Sequence, residues 1–199
     1  KASGCRVLGS DVDQSKLQRA RESGADLVAM SSDLADAAGT FSDGHGVDAV
    51  IITASTRDNG PIEAAGQIAR KKGKVVVVGA VGMNVPREPY YQKELDLRLS
   101  MSYGPGRYDA AYEEHGHDYP FGYVRWTEQR NMQAFLELVA TGKVRLKPLI
   151  THRFPIEQAE SAYALMMEGS TPYIAMVITY PSDLARPLPR TIAVGTAQA

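Results

Sequence analysis

Asp11 closes the apolar run Arg6-Val7-Leu8-Gly9-Ser10, and Lys16 follows five residues later, one turn into a helical pattern. A carboxylate at the end of a strand can accept hydrogen bonds from the two hydroxyls of a ribose, and its charge repels a phosphate at the 2′ position. A lysine one turn further on can reach the same ribose or a pyrophosphate. Taken alone, the two residues read more simply as a strand end and a solvated helix position. A second group lies in "EEHGHD", where Glu113, Glu114, His115, His117 and Asp118 fall within six positions. His-x-His beside carboxylates can hold a divalent metal, and either imidazole can relay a proton near neutral pH. On a glycine-containing loop a solvated polar turn is the simpler reading, so no metal ligand is assigned. Arg107 and Arg125 can pair a carboxylate or phosphate group of a ligand.

The segment holding these arginines is unusual. Tyr103, Tyr108, Tyr112, Tyr119, Phe121, Tyr123 and Trp126 are seven of the chain's 15 aromatic residues, and the interspersed Gly104, Pro105, Gly106, Gly116, Pro120 and Gly122 predict a loop. Two readings stand side by side: a satellite core under a long loop, each tyrosine hydroxyl partnered, or a sugar-stacking or partner surface.

The elements that would position these residues alternate strand and helix, the pattern of a parallel sheet. Asp13 reads as the N-cap of a helix carrying Leu17 and Ala20 inward and stopped by Gly24. Leu27 to Met30 reads as a strand, about Asp33 to Phe41 as a helix, and Val47 to Thr53 as a strand apolar enough to be covered on both faces. Pro61 opens a helix through Ile62, Ala65, Ile68 and Ala69. Its last turn would carry Arg70, Lys71 and Lys72, suited to the helix dipole more than to phosphate. The strand in "KVVVVGAVG" ends at Gly79, and Leu95 to Tyr103 alternates like a half-exposed edge strand. Beyond the aromatic loop, Thr127 caps a helix with Met132, Phe135, Leu136 and Val139 on one face. A strand from Leu149 to Phe154, a helix with Ile156, Ala159, Tyr163 and Met167 on one face, and a strand from Tyr173 to Tyr180 follow. Pro181, Pro187 and Pro189 mark a linker-like tail.

Composition narrows the function classes. The 199 residues carry 22 Lys plus Arg against 23 Asp plus Glu, a formal net charge of −1. That balance points away from nucleic acid and from an anionic membrane as partners, and no apolar run reaches the length of a membrane span. The one cysteine, Cys5, excludes an internal disulfide framework and a thiolate zinc finger; it reads as a small buried strand residue. A reducing, cytoplasmic setting is expected. His45, in a turn, and His152, at a strand end, read as structural or exposed. The chain begins at Lys1 in what reads as the end of a helix, so a fragment of a longer protein is expected. No G-x-G-x-x-G occurs; Gly44-His45-Gly46 only approximates it and follows a helix instead of preceding one.

The stretches "CRVLGSDVDQSKLQRARESGAD", "GHGVDAVIITAST", "IARKKGKVVVVGAVG" and "KELDLRLSMSYG" resemble the nucleotide-binding domain of medium-chain, zinc-type alcohol dehydrogenases. "LITHRFPIEQAESAYALMMEG" resembles that family's closing segment, so the likeness runs from Lys1 to about Tyr180. "SYGPGRYDAAYEEHGHDYPFGYVRWTEQRNM" departs from ordinary alcohol dehydrogenases and resembles a subgroup fused to a Gfo/Idh/MocA-type oxidoreductase domain.

The resemblance implies an α/β fold, a Rossmann-type doubly wound parallel sheet without its first strand and Gly-rich turn. It divides the chain into a dinucleotide-binding portion (1–103), the aromatic-rich loop (104–126), a helix and strand segment completing the dehydrogenase (127–180) and the tail (181–199). By position it places Asp11 and Lys16 on the adenosine ribose, Thr53 and Ala54 beside the adenine, and backbone groups of Val78, Gly79 and Ala80 on the nicotinamide ribose and carboxamide. Ser102 and Tyr103 fall near the nicotinamide ring. The implied cofactor is NAD in preference to NADP. Zinc is compatible with the full-length family pattern, but its ligands and the proton relay sit chiefly in a domain outside this sequence, and no catalytic residue transfers. The expected activity is NAD-dependent interconversion of an alcohol/carbonyl pair, its small-molecule substrate sugar-derived, in a homo-oligomer. The alternative is a non-catalytic nucleotide-binding or interaction module within a larger fused protein.

Overall fold

The computed structural model describes residues 1–181. All of the expected tail except Pro181 lies outside the described residues. The chain divides into two units, residues 1–145 and the segment from Leu146 onward.

In the first unit β1 (Leu8–Asp11) leads into α1 (Gln14–Glu22) and β2 (Leu27–Met30), then α2 (Leu34–Phe41), β3 (Val47–Ile52), α3 (Gly60–Ile68) and β4 (Ala69–Val77). The short helix α4 (Arg87–Gln92) precedes β5 (Asp96–Leu99). The α/β class is as the sequence implies, and every strand pairing is parallel. β1 pairs with β2 alone, while β3, β4 and β5 form a separate sheet in that order. One edge of β1 and one edge of β3 are therefore unpaired among the described residues. This is the arrangement expected when the central strand of a 3-2-1-4-5-6 order is not there to join them.

The core belongs to the larger sheet. Ile52, Ile62, Ala65, Val75, Val77 and Tyr90 form one buried cluster, edged by Val50, Val81, Val85, Leu95 and Leu97. Register sets Val50 beside Val75 and Ile52 beside Val77, so alternate residues of β3 and β4 meet on the face that α3 covers. Gly66 in α3 is required there, because a Cβ would stand 2.7 Å from the Tyr90 ring. Tyr90 Oη then donates to Ile62 O at 2.8 Å, satisfying its one polar atom inside the cluster.

Several expectations are corrected. α3 stops at Ile68, so Arg70, Lys71 and Lys72 begin β4 rather than end a helix. Arg70 pairs with Asp48 at 2.7 Å, Lys72 with Glu94 at 3.3 Å, and Lys93 Nζ donates to the carbonyls of Gly66, Gln67 and Ala69 that end α3. β3 is not covered on both faces: Ile51 is 65% exposed. Residues 1–4 form a turn, Gly4 N bonded to Lys1 O, and Cys5 is exposed before β1 begins. The aromatic segment contains one helical turn, α5 (Ala110–Glu113), before α6 (Glu128–Ala140). Met132, Phe135 and Leu136 of α6 are exposed, and the helix buries no residue.

In the second unit β6 (Ile150–Pro155) and β7 (Ala175–Thr179) pair in parallel across α7 (Ala159–Glu168). α7 ends on Gly169 in the left-handed conformation, φ 62. It buries Ala162, while the expected inward residues Tyr163 and Met167 are exposed.

Candidate functional site

Parallel strands put all their carboxyl ends on one edge of a sheet, where open α/β sheets receive ligands. Asp11 stands at that end of β1. Its Oδ1 accepts from Asp13 N at 3.0 Å, and Lys16 Nζ lies 3.9 Å away, close enough to share an anionic or hydroxyl ligand. Asp13 caps α1 through Ser15 N and the Ser15 hydroxyl; those bonds hold its carboxyl below the usual range and fix the turn beneath Asp11.

At the same end of the larger sheet, Ser55, Thr56 and Arg57 after β3 face Ala80, Val81 and Gly82 after β4 across an open cleft of about 520 Å³. Two glycines make it. A Cβ on Gly79 would run into the Ala54 carbonyl, and one on Gly82 would lie 2.9 Å from the Asp58 carbonyl. The loops are pinned to each other by Thr56 N to Ala80 O at 2.8 Å, Gly82 N to Asp58 O at 3.0 Å and Asn84 N to Asn59 Oδ1 at 3.0 Å. Thr53 and Ala54 border this crossing and are exposed, as is Val78. The amides of Val78 and Gly79 both donate to Ile52 O at 2.9 Å. Ala80 O is taken by Thr56 N, which leaves the carbonyls of Val78 and Gly79 and the amide of Ala80 as backbone groups open to a ligand there. Ser102 and Tyr103 follow β5 at the same edge. Tyr103 adopts φ 53, a conformation that an aromatic residue rarely holds without outside support. Asn131 Nδ2 supplies that support by donating to Tyr103 O at 2.8 Å.

The aromatic segment resolves into two parts. Tyr112 and Tyr119 stack with ring centroids 5.5 Å apart. Tyr112 Oη bonds the fully buried Thr127 Oγ1 at 2.9 Å, and Tyr119 Oη donates to Asp109, which keeps that carboxyl below its ordinary range. These two tyrosines form a satellite core. Tyr103, Tyr108, Phe121, Tyr123 and Trp126 stay exposed. Glu113 is engaged by Arg107 at 2.5 Å and Asp118 by Arg130 at 2.6 Å. His115 and His117 have ring centroids 6.2 Å apart, and among the described residues no three His, Cys, Asp or Glu side chains gather as a metal site.

Residues 1–115 match the family model described as zinc-binding dehydrogenase. The chain belongs to that family. It is 33% identical over 168 residues to sorbitol dehydrogenase 1 of Saccharomyces cerevisiae, covering 79% of this chain and 40% of the relative. It is 25% identical to D-arabitol-phosphate dehydrogenase of Enterococcus avium, covering 82% and 41%. The structure of an alcohol dehydrogenase from Escherichia coli CFT073, complexed with NADH, superposes with a TM-score of 0.61 at 18% identity, covering 87% of this chain and 44% of that one. This zinc-binding dehydrogenase chain thus spans about 40% of the length of the curated relatives it matches.

Reading the sequence missed Asn59, which ties both cleft loops together, and the network of Asp109, Thr127 and Arg130. The only signal for Asn59 was its place before Gly60-Pro61. Thr127 was expected to cap α6, but its hydroxyl is spent on Tyr112.

Proposed function

We propose that the protein containing this chain is an NAD-dependent oxidoreductase acting on an alcohol/carbonyl pair, and that this chain supplies the cofactor-holding face. The carrying observation is Asp11 with Lys16 at the carboxyl end of β1, on the same kind of edge as the glycine-built cleft after β3 and β4. A nicotinamide dinucleotide fits this donor set: a carboxylate for a ribose diol, and a cradle that a Cβ on Gly79 or Gly82 would fill. When bound, the cofactor supplies the hydride acceptor. Asp11 and Lys16 hold the adenosine ribose, and Thr53 and Ala54 border the adenine. Val78, Gly79 and Ala80 line the nicotinamide ribose and carboxamide, with Ser102 and Tyr103 nearer the ring. No residue of this chain is given a catalytic role. Any zinc would take its ligands from outside the described residues.

The sorbitol and arabitol-phosphate dehydrogenases among the relatives support a polyol or sugar-derived substrate. No described helix is long and apolar enough to cross a membrane. A cytoplasmic homo-oligomer without nucleic-acid or membrane partners is the accompanying reading. The divergent sequence between Ser102 and Met132 supports placement in the subgroup fused to a Gfo/Idh/MocA-type domain.

Cofactor preference tests the proposal. The whole dehydrogenase should use NAD well ahead of NADP, and Asp11→Ser should weaken NAD about tenfold and narrow the preference, since a hydrogen bond to a charged group contributes about 1.5–3 kcal/mol. A wild-type enzyme that uses both equally removes Asp11 from the ribose. NAD binding without turnover of any polyol tried would favour the non-catalytic module.

A further inference from the structure

Three arginines lie in or beside the aromatic segment, and two are spent. Arg107 is paired with Glu113, and Arg130 grips Asp118 with both terminal nitrogens at 2.6 and 3.2 Å. Arg125 differs. Its guanidinium lies 4.2 Å from the Trp126 ring centroid and 4.9 Å from that of Phe121, and no described carboxylate, Glu128 included, comes within 4.0 Å of it. The backbone beneath is fixed: Arg130 donates to Val124 O at 3.0 Å and Arg125 O at 2.9 Å, and Pro120 O accepts from Tyr123 and Val124. Glu128 N to Pro105 O at 2.8 Å and Asn131 to Tyr103 O tie this corner to the carboxyl end of β5.

We infer that Arg125, Trp126 and Phe121 form a binding site for the oxyanion, phosphate or carboxylate, of a carbohydrate ligand. Two aromatic faces leave the guanidinium its in-plane N–H fork, which matches an oxyanion with two parallel hydrogen bonds. The exposed rings beside it offer apolar faces to a sugar's C–H surface. Arg130 already holds Asp118 with both terminal nitrogens, and Arg107 is committed to Glu113 through Nη1 with its Nε buried away from solvent, so neither presents an open fork as Arg125 does. The position at the β5 edge deepens the proposed function by assigning the substrate a negative group, yet the site uses none of the cofactor residues.

Trp126 is the chain's single tryptophan, so its fluorescence reports the site directly. The 199-residue chain should respond saturably to glucitol 6-phosphate or gluconate at constant ionic strength, and at least about tenfold more weakly to neutral glucitol. Whichever anion binds tighter names the group. Arg125→Gln should lose the response while keeping the same thermal melt and circular dichroism; Arg125→Lys, which keeps charge without the fork, should retain only part of it. An equal response to neutral glucitol, a response matched by potassium chloride, or an undiminished response in Arg125→Gln overturns the site. Because no cofactor is present, failure here leaves the Asp11 assignment standing.

Discussion

Between Val47 and Leu99 three strands and two helices enclose seven buried apolar side chains, whereas between Leu8 and Phe41 two strands and two helices bury only Leu17 and Ala38. Both regions are made by the same strand-helix-strand rule. The difference is the number of neighbours: β4 is paired on both sides, β1 and β3 on one side each. Ile51 and Leu27 are, besides, apolar strand residues left partly or largely exposed on a sheet face. The unpaired edge of β1 and that of β3 are each a seat for a further parallel strand. Under the proposed function the two regions are half-sheets of one cofactor-binding edge.

The largest test of that comparison is cofactor binding. Calorimetric titration with NAD should show the 199-residue chain binding at least about a hundredfold more weakly than a longer dehydrogenase chain carrying the upstream strand and its phosphate turn, because the helix N-terminus that receives a pyrophosphate accompanies that strand. The short chain should also tend to associate through its open edges. Micromolar binding by a monomer of the short chain would break the half-sheet account and the cofactor-residue placements with it.

The same substitution made in each region sharpens the contrast. Gly79→Ala drives a methyl into the Ala54 carbonyl, so the β3 and β4 ends must separate, at a cost of roughly 3–5 kcal/mol in denaturant unfolding. Gly39→Ala, in α2, meets nothing within 4 Å and should stabilise by roughly 0.5–1 kcal/mol through helix propensity. Equal effects would mean that the crossing at Gly79 yields more easily than its geometry implies.

The strand and helix order was legible because apolar periodicity and Gly/Pro punctuation act locally. "KVVVVGAVG" and the N-cap at Asp13 needed no tertiary information. The extent of cover was not legible: "VDAVII" looks doubly buried because its composition suits a strand covered on both faces, while what packs on each face is a non-local property. Arg70 to Lys72 were misplaced for a related reason. The pattern of α3 runs on past Ile68, but Lys93 Nζ, supplied from 24 residues away, takes the Ala69 carbonyl and those of Gly66 and Gln67. In the aromatic segment, counting rings could not separate Tyr112 and Tyr119 from Tyr123. Their roles depend on Thr127 and Asp109, partners that spacing does not reveal. Of the site, the single residue Asp11 was legible from local pattern; the cleft depends on where two loops cross.

Tyr112→Phe leaves the buried Thr127 hydroxyl without its partner and should cost roughly 1–3 kcal/mol. Tyr123→Phe, at a side chain 92% exposed, should stay within about 0.5 kcal/mol. If Tyr112→Phe instead changed turnover with an unaltered melt, its hydroxyl would belong to the ligand surface and the division of the segment into core and exposed parts would fail.

The smallest effect separates the two half-sheets by pH. Burial pushes the Tyr90 phenol from 10 to about 12, and the β1–β2 region buries no tyrosine. A raised phenol means that the unfolded chain loses its proton first, so this contribution is whole below pH 10 and drains away as pH climbs toward about 12. Burial also lowers the Lys93 ammonium below its usual value, which acts in the opposite direction and below pH 10.5. Both proteins in a wild-type and Tyr90→Phe pair retain Lys93, so their difference isolates the phenol. At pH 9 the variant should be weaker by about 1 kcal/mol for the lost bond to Ile62 O. By pH 11 to 12 the gap should close, because only the wild type still has a buried hydroxyl whose ionisation favours unfolding. Urea unfolding at the two pH values measures this. A gap that stays constant would mean the hydroxyl reaches water in the native protein, and that the larger half-sheet is less enclosed than its six-residue buried cluster indicates.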